Sequence, residues 1–440
     1  MSRLRILAEF AATRWLRPLR TRASVERRQR RLLRRHLRFL RRRSAYFGPL
    51  LAGGSAGFPE LPLMDKSIMM DRFDELNTVG VHREEAMRIA LASERSRDFA
   101  ADVQGCSVGL SSGTSGHRGL FLVSRAEREA WAGTMLARTL PRGRILGHRI
   151  ALFLRADNTL YEAVGSRAVS FSYFDVFAEM GENLERLGRY APTILVAPPS
   201  VLLAIARAAE SGAIAVRPEK VYAVAEVLEI ADERRIAVGL GQKRIHQLYQ
   251  CTEGFLAHTC EEGVLHLNED GVLIEREQLG DGRFAPIVTD LRRRAQPIVR
   301  YRLGDVLRER DAPCPCGSAL TALARIEGRE GDTLRLPGRD GGVVEVFADL
   351  VSRALVYADG VAEYRIVQTG RRVLEVGIEV AADTPLALVR ANVAAELGSL
   401  ADRLGAERAE LRFVSYAPEP GRKLRRVERR WRGDLNDAEL

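Results

Sequence analysis

The sequence predicts an α/β protein: a large N-terminal domain of parallel sheet covered by helices, a small antiparallel unit attached to it, and a small α+β C-terminal module. Three observations predict it. Between residues 149 and 249, apolar strand-like runs alternate with helical patterns, as in a parallel sheet covered on both faces. From 263 to 310 the texture changes to short strands separated by turns. After Gly328-Arg329 come enough strand and helix patterns for a compact module with its own core. The implied limits are a basic helical arm over 1–47, a large domain over 48–328 that includes the β unit, and a C-terminal module over 329–440.

Taken in order, residues 1–22 mix apolar and basic positions, among them Ile6, Leu7, Phe10, Trp15 and Leu16. From Ser24 to Arg43, the apolar residues Val25, Leu32, Leu33, Leu37 and Leu40 recur at helical spacing among arginines. Such a helix can lie on anionic lipid or reach for nucleic acid. The plainer reading, which we favour, packs the apolar stripe on the body and leaves the arginines solvated. Residues 48–62 read as a loop, and Leu61-Pro-Leu-Met-Asp-Lys66 enters a helix capped by Asp65. A helix is expected over 125–140, and strands at Arg149–Leu154 and Thr193–Ala197, the latter stopped by Pro198-Pro199. Then follow a helix at 200–210, a strand at Lys220–Ala225, a helix at 231–240 and a strand near His246–Tyr249. Glu226 and Thr252-Glu253 stand just past strand ends, where open α/β sheets collect ligands. The antiparallel unit would hold strands at Val264–Leu267, Val272–Glu275, Pro286–Thr289 and Ile298–Tyr301. In the last module, strands are expected near 343–347, 362–368, 373–380 and 409–415, with a helix at 385–403.

At 440 residues and 46% apolar content, the chain can bury one large core and a second, smaller one. No apolar run approaches the ~20 residues that span a bilayer, and the start lacks the apolar core and cleavage site of a signal peptide. Five cysteines do not make a disulfide framework, so a reducing, cytoplasmic setting is expected. The net charge of +10 is unevenly spread: residues 1–43 hold 16 Arg and 2 Glu, and the remainder sums to −4. The body is therefore acidic, which excludes nucleic-acid binding by the main domain.

The stretch with the most chemistry is Leu110-Ser111-Ser112-Gly113-Thr114-Ser115-Gly116-His117-Arg118-Gly119. Hydroxyls and glycines between two apolar runs suit a turn whose N–H groups form a concavity for anions. It is not a Walker A loop, because Lys-Ser/Thr does not follow the last glycine. Five further segments follow: Tyr222-Ala-Val-Ala-Glu226, Tyr249-Gln-Cys-Thr-Glu253, Tyr301-Arg-Leu-Gly-Asp305, Gly328-Arg329 and Pro420-Gly-Arg-Lys-Leu-Arg-Arg426. Separately, Cys260, His266, Cys314 and Cys316 supply three thiols and an imidazole from turn-rich segments, a donor set that suits structural zinc in a closed tetrahedron.

In this order and spacing the six segments resemble the adenylate-forming (ANL) superfamily of acyl-CoA synthetases and adenylation domains. Length, the Cys314-Pro-Cys-Gly317 run and the Leu61–Lys66 segment resemble its phenylacetate–CoA ligase and coenzyme F390 synthetase branch. The basic helix ending Ser44-Ala-Tyr-Phe47 resembles the clade of indoleacetate–lysine synthetase. The resemblance implies ATP-dependent activation of a carboxylic acid, aromatic or aryl-acetic, as acyl-AMP with loss of pyrophosphate. Transfer to CoA, an amino acid or a carrier protein follows. Further readings are an amide-forming ligase and a catalytically degenerate nucleotide-binding protein on the same fold.

In the roles the resemblance implies, Ser111, Ser112, Gly113, Thr114, Ser115, Gly116 and Gly119 cradle phosphates. Arg118 stands where relatives carry lysine, and its fork can still neutralise phosphate. Glu253 holds Mg²⁺; Tyr249 and Thr252 flank adenine and α-phosphate; Glu226 lies at the nucleotide. Asp305 accepts from the ribose hydroxyls, Arg329 contacts the nucleotide near the hinge, and the C-terminal module swings as a mobile lid. Lys423 stabilises charge at the α-phosphate, with Arg422 the alternative. Some relatives carry the same Cys/His set. Gly331, between Glu330 and Asp332, would loosen the hinge, and Gln250 replaces a common glycine. Oligomeric state is left open, with a dimer compatible.

Overall fold

The computed structural model describes residues 3–16, 19–52, 57–98, 101–111, 119–154, 169–381, 384–417 and 425–433. They divide into two compact units. The first is Met1–Leu228, Asp232–Leu303 and Arg308–Arg325; the second is Glu229–Ala231, Gly304–Leu307 and Ile326–Leu440. The protein is mixed α/β throughout.

In the first unit, helices α1 (Arg3–Ala11) and α2 (Arg22–Arg43) precede the short helices α3 (Phe47–Ala52), α4 (Lys66–Asp71) and α5 (Phe73–Leu76), and then α6 (Arg83–Ser96). As expected, Asp65 caps α4: its carboxylate accepts from Ile68 N at 2.9 Å. An antiparallel sheet follows, with β2 (Cys106–Leu110) between β1 (Asp102–Val103) and β3 (Leu120–Ser124). Its apolar face packs Val108, Leu120 and Leu122 on Phe73, Ala86 and Ala90. Ser124 and Glu127 then make a capping box for α7 (Arg125–Thr139).

The main sheet carries strands β4 (His148–Leu154), β5 (Val169–Asp175), β6 (Ile194–Ala197), β7 (Lys220–Ala223) and β8 (His246–Cys251), in the spatial order β5-β4-β6-β7-β8 and all parallel. Their apolar residues feed two cores, as parallel strands buried on both faces require. One, with Leu152, Val196, Tyr222 and Leu248, is covered by Ile6 and Phe10 of α1 and Ala132 and Leu136 of α7. The other, with Phe153, Phe174 and Leu195, is covered by helices α8 (Met180–Tyr190), α9 (Pro199–Glu210) and α10 (Ile230–Gly239).

The antiparallel unit expected beside the main domain is continuous with its sheet. A strand not expected from the sequence, β9 (Gly254–Thr259), folds back antiparallel on β8, and β10 (Leu265–Leu267) pairs with β9, so both extend the main sheet. The tight turn pairs Cys251 with Gly254 through Thr252-Glu253, and no Asn-Gly or Pro signal announces it. Beyond it, β11 (Val272–Gly280) and β12 (Arg283–Asp290) make a long hairpin, and the strand expected at 298–301 shrinks to β13 (Tyr301–Arg302). Strands β14 (Asp305–Glu309) and β15 (Ala322–Arg329) carry the chain onward.

The second unit holds a hairpin of β16 (Leu334–Pro337) and β17 (Val343–Val346), helix α11 (Ala348–Tyr357), and a four-stranded sheet. That sheet has the order β20-β19-β18-β21, from β18 (Val361–Gly370), β19 (Val373–Val380), β20 (Glu410–Ser415) and β21 (Val427–Arg429). Helix α12 (Leu386–Leu404) packs Val389 and Val393 against Ile366, Val376 and Val427. β16, α11 and β21 were not expected from the sequence.

Helix α2 buries a narrow stripe, Val25, Gln29, His36 and Leu40. Polar contacts fix its rotation on the turn before β11: Arg28 Nε donates to Asp270 O at 2.8 Å, Gln29 Nε2 to Val272 O at 3.0 Å, and Arg22 pairs with Glu269 at 2.7 Å. Thr21 caps the helix. His36 is buried and neither ring nitrogen finds a partner. Burial, with Arg294 near, lowers its pKa from 6.5 to about 4. Between these values the unfolded chain binds a proton that the folded chain refuses, so stability falls as pH falls through that window. His36→Leu should flatten the stability–pH curve there, by about 3 kcal/mol in total. Denaturant unfolding across the window checks this; an unchanged slope would refute it.

Candidate active site

The base of the Ser/Gly loop is closed by two hydrogen bonds: Ser111 N donates to Gly119 O at 2.7 Å, and Gly119 N to Ser111 Oγ at 2.8 Å. Ser112, Gly113, Thr114, Ser115, Gly116 and Arg118 lie outside the described residues. Gly119 is a close approach. A Cβ there would meet the Lys66 side chain at 3.3 Å and Ser111 Oγ at 3.4 Å. Lys66 opens α4, and the segment before it is held to β13: Met64 N donates to Arg300 O at 2.9 Å, and Arg302 N to Met64 O at 2.8 Å. Arg300 takes a positive φ of 45° to make this turn, a conformation costly for a side chain with a Cβ.

Tyr301, in the same strand, lies beside Glu253, and burial together with that carboxylate raises its pKa. Glu253 is buried at 8% exposure and also accepts from Thr252 Oγ1 at 2.9 Å. The backbone of this turn is held by Arg293, whose guanidinium donates to Thr252 O and, at 2.9 Å, to Leu122 O of β3. Arg293 N in turn donates to Asp290 Oδ1 at 3.1 Å, and burial raises the pKa of Asp290. Glu253 is thus tied both to the strand that closes the loop and to the segment leading into Lys66.

Other residues singled out from the sequence lie around this turn or apart from it. Tyr249 is buried in β8, opposite Ala257. Glu226 follows Ala225, which has a φ of 67°, and accepts from Ser200 N at 3.1 Å, at the first turn of α9. Gln250 accepts from Trp131 Nε1 at 2.9 Å and donates to Cys251 O at 2.9 Å. Of the aromatic run 171–174, Phe171 packs with Trp131, whereas Phe174 faces the opposite core, as strand alternation demands.

In the second unit, Asp305 is buried and pairs with Arg329 at 3.1 Å. Glu330–Asp332 is a 3₁₀ turn, closed by Asp332 accepting from Arg329 N at 3.0 Å and from Arg425 Nε at 2.9 Å. The glycine that needs its freedom is Gly328, at φ 123°. Arg422 and Lys423 lie outside the described residues.

Cys260, His266, Cys314 and Cys316 come together, with donor atoms all within 4.8 Å of one another. Cys260 Sγ and Cys314 Sγ are 3.7 Å apart, and Cys316 Sγ is 3.4 Å from His266 Nε2. Ligands at zinc distances in a tetrahedron stand about 3.5–3.8 Å apart, close to these two spacings. His266 Nδ1 lies 3.0 Å from Leu320 O; a proton there leaves Nε2 free to ligate.

Lys66, Tyr301 and Arg293 were not assigned roles from the sequence. Tyr301 and Lys66 sit inside segments singled out for other reasons, and the triplet Arg292-Arg293-Arg294 was the available signal for the third.

The backbone resembles solved structures of CoA ligases. A 2-hydroxyisobutyryl-CoA ligase in its postadenylation state, in complex with 2-HIB-AMP, superposes with a TM-score of 0.68 over 93% of this chain and 90% of its own, at 17% identity. The anthranilate CoA ligase AuaEII in complex with anthranoyl-AMP gives 0.51 over 73% and 66%, at 14% identity. The amide bond synthetase McbA of Marinactinospora thermotolerans gives 0.51 over 72% and 67%, at 16% identity. No protein-family model and no curated protein matches the sequence. At these identities the likeness is one of fold alone.

Arg293→Leu would leave the buried carbonyls of Leu122 and Thr252 unpaired, and should cost about 3 kcal/mol of stability. Arg293→Lys should recover only part, since an ammonium lacks the fork that reaches both oxygens. Urea unfolding of the two variants measures this; equal losses would show that the fork is not what matters.

Proposed function

We propose that this protein activates a carboxylic acid with ATP as an acyl-AMP, releasing pyrophosphate, and then transfers the acyl group to a nucleophile. What carries the reading is the buried Glu253, held by Thr252 with Tyr301 beside it, and braced through Arg293 to the strand that closes the Ser/Thr/Gly loop. The fold supports it: two of the structures it resembles contain acyl-AMP adducts.

In the proposed reaction the substrate carboxylate attacks the α-phosphorus, a new O–P bond forms, and the α–β anhydride breaks with pyrophosphate leaving. The loop residues Ser111 to Gly119, with Arg118, hold the β- and γ-phosphates, and Lys66 adds a cation at the loop's base. Glu253 offers a buried carboxylate that would hold Mg²⁺. The ion would neutralise charge on the phosphates. Thr252 and Tyr249 flank the α-phosphate and adenine, and Glu226 orders the strand end beside them. Asp305 accepts from the ribose hydroxyls, with Arg329 beside it, and Lys423 of the C-terminal lid stabilises charge at the α-phosphate.

The acid is aromatic or aryl-acetic in this reading. Trp131, Phe171 and Phe255 share one apolar cluster, and Gln250 fixes the indole from the strand next to Glu253. The branch is that of phenylacetate–CoA ligase, near indoleacetate–lysine synthetase. The acceptor is CoA, an amino acid, as in an amide-forming ligase, or a carrier protein. Cys260, His266, Cys314 and Cys316 would hold structural Zn²⁺, since the protein supplies four ligands of the types that ion prefers.

Two measurements test this. ATP–pyrophosphate exchange should depend on an aromatic acid, fall by roughly 10²–10³-fold in Lys423→Ala and in Glu253→Gln, and survive in Arg422→Ala. ATP binding without exchange under any acid would leave a degenerate nucleotide-binding protein. Metal analysis should find one zinc per chain, lost in a Cys314→Ser/Cys316→Ser variant whose melting temperature drops. A zinc-free protein of unchanged stability would reject the metal site.

A further inference from the structure

We propose that the outer face of α2, with the exposed apolar residues of the segment before it, docks this chain on an anionic phospholipid surface. The inner face of α2 is accounted for by its contacts with the turn before β11. Its outer face is not. Arg27, Arg31, Arg34, Arg38 and Arg42 form one row at helical spacing, with Arg35 beside it, and all are exposed. The row spans about 22 Å. Among the described residues none of the six has a carboxylate partner; the helix's one acid, Glu26, is shared by Arg22 at 3.5 Å and Arg30 at 3.8 Å.

Charge alone would suit any polyanion, and two observations choose among them. Single-stranded nucleic acid is gripped by aromatic platforms between the cations, and α2 offers none outward. Its only Phe, Phe39, is covered by the Arg294 guanidinium 5.0 Å from the ring. An acidic protein would be served by the arginines but gives no role to the apolar residues ahead of them. Leu4, Leu7, Trp15 and Leu16 are 79%, 61%, 58% and 74% exposed. Leu4 and Leu7 lie three apart on α1, while Ile6 and Phe10 face the core. Trp15 meets Phe10 edge-on at 5.4 Å, so the indole is held in place while solvent still reaches it.

Guanidinium forks pair with phosphodiesters, and an indole with aliphatic neighbours suits the headgroup boundary. Stable attachment to a membrane surface takes two signals, charge and apolar insertion, and this segment has both. Among the described residues no helix is long and apolar enough to cross a membrane, so the contact is peripheral.

The test is co-sedimentation of the full chain with phosphatidylcholine vesicles, with and without phosphatidylserine, alongside Trp15 fluorescence and an RNA competitor. We expect binding to the phosphatidylserine vesicles only, weakened by salt, with a blue shift absent from Trp15→Phe. Arg31→Gln/Arg34→Gln/Arg38→Gln should weaken binding by about 100-fold, at roughly fivefold per arginine. Leu4→Ser/Leu7→Ser should weaken it at least tenfold without changing its dependence on phosphatidylserine. Neither variant touches the candidate site, so pyrophosphate exchange should stay at its starting level. Failure to sediment with phosphatidylserine vesicles, undiminished binding of the triple variant, or displacement by RNA at lower concentration than lipid would each overturn the proposal.

Discussion

Much of the first unit depends on how the free edge of β3 is satisfied. That strand pairs with β2 on one side, and its other row of backbone groups would be buried without partners, a cost structures rarely carry. Side chains from residues 293 to 296 act in place of a neighbouring strand. Gln296 accepts from Leu122 N at 2.9 Å and donates to Leu120 O at 3.1 Å, while Arg293 donates to Leu122 O. Glu127 then accepts from Ala295 N at 3.0 Å, as well as capping α7. Because Arg293 also holds Thr252 O, the edge requirement of one small sheet fixes the turn that carries Glu253 in the other.

This explains which parts of the site could be read from the sequence. Thr252, Glu253 and the Cys/His set stood out because each is a reactive type in a short segment, and the structure brings Thr252 to Glu253 and gathers the Cys/His set. The supporting groups did not stand out. Arg293 acts on residues 41 and 171 positions away, and nothing local distinguishes it from Arg292 or Arg294. Lys66 was visible only as the start of a helix, and its relation to Gly119 comes from the stitching of Met64 onto β13. The fold was legible where periodicity persists, as in α2 and in β4, β6, β7 and β8, whereas β5 was not expected. It failed at β9, where a strand returns through a two-residue turn of ordinary residues.

The polar interior near this sheet is ordered by the same economy. Arg138 pairs with Asp270 at 2.6 Å and reaches His258, whose Nδ1 lies 2.7 Å from Asn268 Oδ1. With the proton on Nδ1, the ring donates to Asn268 and accepts from Arg138, and burial lowers its pKa well below the ordinary value. A neutral ring is what the network needs, since a second cation beside Arg138 would be uncompensated. Asn268 also donates to Phe255 O at 2.9 Å. The turn at 268–272, fixed from inside by this network, is the one that receives Arg22, Arg28 and Gln29 from outside.

Helix α2 therefore owes its place to tertiary contacts rather than to its own sequence. Arginines four apart along one face repel each other and work against an isolated helix. Docking onto the 268–272 turn, with Val25 and Leu40 buried, offsets that repulsion but does not relieve it, because the outer arginines stay unpaired. The buried, unpartnered imidazole of His36 adds a further cost in the same helix. A helix needed only to cover the core could carry glutamates between its arginines and gain stability at each pair. Holding the arginine row in a fixed register, at the expense of helix stability, has a physical rationale if the row meets a surface that supplies the missing negative charge.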